Sequence, residues 1–156
     1  MPLKNYTTGV PAMRSIGQIQ GNLVAHGASS ILIHYGDDKR PESLSFLVTT
    51  PGGEIPFQLP ANIKKVEAIL IDMRARKLET WHSDYERVME RVQEQASRVA
   101  WRILKDWVDA QLAIIETEMV VLEQVFLPYM ETGGGTLYEV LREKKFYLGQ
   151  GEGNGS

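Results

Sequence analysis

Residues 30–59 read "SILIHYGDDKRPESLSFLVTTPGGEIPFQL", and three short runs in them alternate apolar with polar residues. Ile31, Ile33 and Tyr35 fall on one side of the first run. Leu44, Phe46 and Val48 do so in the second, and Ile55, Phe57 and Leu59 in the third. A period of two is the signature of strands with one face toward a core. The connecting "GDDKRPES" and "PGG" are turn chemistry, so the runs predict an antiparallel meander. Pro56 has no N–H to give to a ladder, which places the third strand at an edge. Such a sheet has one apolar face and needs helices laid on it.

The flanking segments supply them. Pro11, with its fixed φ and missing N–H, suits the first turn of a helix that carries Ile16, Ile19, Leu23 and Val24, and Gly27 is its predicted stop. After the third strand, "ANIKKVEAILIDMRARK" gives a second helix with the stripe Ile63, Val66, Ile69, Leu70 and Met73. "SDYE", with Ser83 as N-cap and Glu86 three residues on, resembles a capping box and opens a third pattern. Val88, Val92, Ala96, Val99, Ile103, Trp107, Ala110 and Ile114 hold to one arc of it. The stripe dissolves beyond Thr117, which predicts a break there and a short buried helix from about Val120 to Leu127. "TGGG" is a turn, "TLYE" a second capping box, and "LYEVLREKKF" a last short helix. The fold class expected is α+β: a three- to four-stranded antiparallel sheet in α-β-β-β-α order, with a long helix and a helical C-terminal extension. Residues 1–148 form a single domain in this reading, and 149–156, "GQGEGNGS", a disordered tail.

Composition narrows function mainly by exclusion. The 156 residues contain no cysteine, which removes disulfides, thiolate nucleophiles and Cys-based metal sites. No apolar run is long enough for a membrane span, and the N-terminus lacks the layout of a signal peptide, so a cytoplasmic protein with no membrane partner is expected. The net charge of −3 gives the whole molecule no pull on polyanions. Residues 1–80 carry nine Lys/Arg against seven Asp/Glu, and residues 81–156 carry eight against thirteen. Any polyanion site is therefore a local patch.

The best local candidate lies on the long helix. Arg87, Arg91, Arg98, Arg102 and Lys105 fall within roughly 60° of one another on the wheel, opposite the apolar stripe. Trp101 sits roughly 40° from the edge of that row. Guanidinium groups beside an indole are what a nucleic-acid groove uses, cations for phosphates and a ring for stacking. The competing reading is a solvated helix back: Glu90, Glu94 and Asp109 share the side, and Glu94–Arg98 is a favourable i,i+4 pair.

Nothing comparable points to catalysis. His26 precedes a helix stop, His34 lies on the less apolar face of its strand, and the residues after His82 serve a cap, so no metal or cofactor site is expected. "PGGE" and "TGGGT" lack the lysine and context of a phosphate loop, and no nucleophile elbow is present.

Helix, three antiparallel strands and helix is also the element order of the double-stranded RNA-binding domain, which residues 12–77 resemble in that respect alone. In that family the start of the second helix grips phosphates, and Lys64 and Lys65 stand there. At the level of whole phrases, "YTTGVPAMRSIGQIQGNLVAHGA", "LSFLVTTPGGEIPFQLPA" and "RVAWRILKDWVDAQLAIIETEMVVLEQVFLPYM" resemble a family of small, largely uncharacterised proteins of phages and mobile elements. The resemblance implies an accessory protein and brings no catalytic residue. The expected function is non-enzymatic nucleic-acid binding, to DNA or RNA, through Lys64, Lys65, Arg87, Arg91, Arg98, Trp101, Arg102 and Lys105. The alternative is a protein-binding module, an inhibitor or a homo-oligomeric assembly factor, that meets a host protein or its own copy through the apolar "VVLEQVFLPYM".

Overall fold

The structure is a computed structural model that describes residues 2–77 and 85–144. Helix α1 (Ala12–Ala25) is followed by strands β1 (Ala28–Tyr35), β2 (Pro41–Thr50) and β3 (Gly53–Pro60) and by helix α2 (Ile63–Lys77). Helix α3 (Tyr85–Glu116) comes next, then α4 (Leu122–Phe126), a 3₁₀ turn (Leu127–Tyr129), a hairpin of β4 (Glu131–Thr132) and β5 (Gly135–Thr136), and α5 (Leu137–Glu143).

The meander forms as the alternation predicts. The order is β1-β2-β3, antiparallel throughout, with Ile31 opposite Phe46 and Phe46 opposite Phe57, and with Ile33 opposite Leu44 and Leu44 opposite Leu59. These rows make the inner face. The two-residue loop Pro51–Gly52 closes β2 onto β3, and Gly53 follows at φ +126°, where a side chain would be strained. Pro56 sits on the edge strand, as its missing donor requires.

The helices cover the inner face. Pro11 precedes α1, and Gly27 at φ +106° ends it. His26 caps the last turn, its Nδ1 2.7 Å from the Asn22 carbonyl. Ile16, Ile19 and Leu23 are fully buried against the sheet and α3. In α2, Val66 is buried while Ile63 and Leu70 pack at the rim, but Ile69 of the expected stripe is exposed. The cap expected at Ser83 lies outside the described residues, as does the tail from residue 149. Helix α3 ends at Glu116, and Glu118 at φ +61° turns the chain into α4, close to the break expected at Thr117.

The C-terminal part docks on the β3 side. Phe126 meets Phe46 at 5.6 Å and Trp107 at 5.6 Å, both edge-on, and Trp107 meets Tyr129 at 5.5 Å. Met130 forms a single antiparallel bridge with Phe57, so a fourth chain segment reaches the sheet at one residue. The capping box expected in "TLYE" is present: Thr136 Oγ1 accepts from the Glu139 N–H, and Glu139 Oε1 accepts from the Thr136 N–H at 3.3 Å. Most of "VVLEQVFLPYM" is thereby core. Leu122 and Phe126 are buried and Val125, Tyr129 and Met130 pack against them, which leaves Val121 and Leu127 exposed. This agrees with the buried helix expected there, and the continuous apolar surface that the alternative, a protein-binding module, would use does not form.

Candidate functional site

The basic row of α3 is not one open surface. Arg87 and Arg91 are exposed, but the middle of the row faces α1. Arg102 Nη1 donates to Gln18 Oε1 at 2.8 Å, and Arg98 Nε donates to Gln95 Oε1 at 2.9 Å. Gln95 in turn donates to the carbonyls of Tyr6 and Thr8, holding the N-terminal segment. Lys105 Nζ lies 2.6 Å from Asp109, and its side chain is only 18% exposed. Asp109 also accepts from Asn22, and His26 Nε2 is 2.9 Å from Glu116, so polar contacts run the length of the α1–α3 seam. Asp106 completes the cluster. Burial alone would raise its pKa, but hydrogen bonds from Asn5 and Lys4 and the charges of Lys4 and Lys105 outweigh this and hold it below the usual aspartate value.

Trp101 departs furthest from expectation. It is 0% exposed, and its Nε1 donates to the Pro41 carbonyl at 3.0 Å, fixing α3 to the start of β2. Its ring cannot stack on a base. The reason is the breadth of the buried arc. Ala96, Ser97, Val99, Ala100 and Trp101 are all buried, an arc of roughly 200° at 100° per residue. A helix flanked by two others beneath a sheet hides far more than one stripe.

Lys64 and Lys65 are placed differently. Both are exposed at the first turn of α2 and line a groove of about 1100 Å³. One wall is α2, where Ile63 and Ile71 line the groove together with the charges. The floor is the end of the sheet, Arg40, Glu42, Ser43 and Gln58, and the far wall is the C-terminal part, Pro128, Tyr129, Tyr138 and Arg142. Tyr138 is 49% exposed. Four cations, Arg40, Lys64, Lys65 and Arg142, face four carboxylates, Asp38, Glu42, Glu67 and Glu139. Arg40 is held by Asp38 and Gln93, and Glu139 by its capping box. Lys64, Lys65, Arg142, Glu42 and Glu67 make no ion pair with one another or with other described residues. Arg40 before β2, Gln93 of α3 and Tyr138 and Arg142 of α5 join the site from three separate parts of the chain, and no local spacing in the sequence announces them.

On the outer sheet face His34 Nε2 lies 3.1 Å from Ser45 Oγ, which donates to Glu131 Oε1 at 3.2 Å. A hydroxyl has one proton. Given to a carboxylate, it leaves the imidazole as donor to the Ser45 oxygen, the reverse of what activates a serine. The chain of bonds ties the C-terminal hairpin to the sheet. Among the described residues no three His, Asp or Glu side chains gather as a metal ion would require, and no helix is long and apolar enough to cross a membrane. Set against protein-family models, curated proteins and solved structures, the chain finds no match.

Proposed function

We propose that the chain is a non-catalytic binding module, an accessory protein of the phage or mobile-element kind, that takes a segment of a partner protein into the groove between α2 and the C-terminal part. The observation that supports this most is the groove's lining. Cations and carboxylates are balanced around apolar and aromatic side chains, and several of the charges make no ion pair among the described residues. A polyphosphate gains little from such a balance, because every lysine that attracts it is offset by a carboxylate. A polypeptide segment with charges of both signs and an apolar side chain or two matches it.

A second reading keeps nucleic acid as the partner. It is favoured by the exposure of Lys64, Lys65, Arg87 and Arg91, four of the eight residues first assigned to that role. One comparison separates the two. Wild type and a Lys64→Glu/Lys65→Glu variant are tested for capture of protein from an extract of the source cells and for oligonucleotide binding across a salt series. The groove reading expects one discrete protein, cross-linked at groove residues, that the variant loses, and no oligonucleotide shift. Oligonucleotide binding that falls steeply with salt in wild type and disappears in the variant would reverse the assignment.

A further inference from the structure

The two edges of the sheet are treated differently. Beyond β3 the chain supplies Met130, the 3₁₀ turn and the β4–β5 hairpin. Beyond β1, among the described residues, no segment pairs. An open edge is a row of unpaired N–H and C=O groups, and proteins guard such rows with charges, prolines or a cover. Between Ser30 and His34, where β1 is regular between two register shifts, the sequence is "SILIH", with no charge and no proline. The side chains there are also incompletely covered. Leu32 on the outer face is 59% exposed, and Ile31 and Ile33 on the inner face are half-buried, whereas Phe57 and Leu59 on the far edge are buried.

We infer that β1 pairs with β1 of a second copy, antiparallel about a twofold axis at Leu32, to give a continuous six-stranded sheet. It stands apart from the groove reading and does not depend on it. The segment is self-complementary about that point. Leu32 meets its own copy on the outer face, Ile31 meets the partner's Ile33 on the inner face, and Ser30 meets the partner's His34. Antiparallel pairing with this parity keeps every inward side chain inward, and the absence of charge removes the like-charge clash that a twofold would otherwise impose.

Helix α1 points the same way. Its Gln18 and Asn22 face α3, and Met13, Gly17, Gln20 and Val24 lie roughly 120–180° round the wheel from the midpoint of that pair. Because α1 packs against β1, this flank looks out past the open edge. Met13 and Val24 on it are 55% and 58% exposed, and a side chain built on Gly17 would meet nothing within 4 Å. Two copies joined at β1 bring these flanks together beneath the extended sheet, which adds apolar area to the strand contact.

Sedimentation equilibrium of the full chain across a wide concentration range tests this, with circular dichroism to confirm folding. Wild type is expected to approach twice 17.6 kDa. Leu32→Lys replaces an exposed side chain, so the fold should survive, but it sets two like charges at the axis and should weaken association roughly tenfold or more. The chain has no cysteine, so Leu32→Cys gives a single thiol, which a short bis-maleimide should join rapidly to its copy, while Glu54→Cys on the opposite edge strand should remain uncoupled. A wild type that stays monomeric at every concentration overturns the inference. So does a dimer that Leu32→Lys leaves intact. Should that variant fail to fold, the thiol pair decides, and coupling no faster at 32 than at 54 overturns it.

Discussion

At β3 the chain returns to finish the sheet, and at β1, among the described residues, it does not. Phe57 and Leu59 on the finished side are buried under Phe126, Met130 and Tyr129, while Ile31 and Ile33, in the same rows of the same face, are left half open. Residue type does not explain the difference, since all four are large and apolar. Chain coverage does. On the finished side the returning segments also raise the wall that turns the sheet end into a groove, so closure of one edge and formation of the candidate site are one structural event. On the unfinished side the exposed strand invites another strand.

The sharpest way to break this comparison is to detach the finishing segment. Phe126→Ala removes a fully buried ring that touches Phe46, Phe57 and Trp107, and should cost about 3–5 kcal/mol in denaturant unfolding. If the C-terminal part merely rests on the sheet, the loss will be far smaller. Next in size is Trp101→Phe. It keeps most of the ring volume but strands the Pro41 carbonyl that opens β2, for a loss of about 1–3 kcal/mol by the same measurement. A helix back open to solvent would give almost none. Thr136→Ala strips the cap from α5 and should lower the unfolding free energy by about 1 kcal/mol, loosening the groove wall that carries Tyr138 and Arg142.

The smallest effect lies on the α1 side. Because the Asp106 pKa is lower folded than unfolded, its stabilisation is present above the unfolded value of about 4 and is lost as pH falls through the folded one. Asp106→Asn should flatten the acid limb of a pH–stability curve by less than about 1 kcal/mol, since the group is partly solvated, and leave the neutral plateau's shape unchanged. An acid limb that is identical in the variant would show that the Lys4–Asp106–Lys105 cluster carries no linkage.

The sheet was legible in the sequence because its signals are local. Alternation fixes the face, Pro56 marks the edge, and Gly27 and the turn at Pro51–Gly52 set the limits. The break at Thr117 and the second capping box were legible for the same reason. Helix α3 was only partly legible, because a wheel drawn for one apolar stripe counts Val92, Ala96, Val99 and Ile103 but passes over Ser97 and Ala100, small residues that become core only when neighbouring helices press on them. Trp101 lies inside that widened arc, which took it and the middle of the basic row out of the candidate site. Of the assigned residues, Lys64 and Lys65 were found at the groove from a resemblance in element order. Their companions Arg40 and Arg142 could not be found, since about a hundred residues separate them and only the return of the C-terminal part brings them to one groove.

Backbone amide exchange followed strand by strand, in dilute and concentrated samples, tests the contrast between the two edges most directly. The account predicts that protection at Ile31–Ile33 rises with protein concentration while protection at Ile55–Leu59 is high throughout and does not change. Equal protection of the two edge strands, with no dependence on concentration at either, would contradict it.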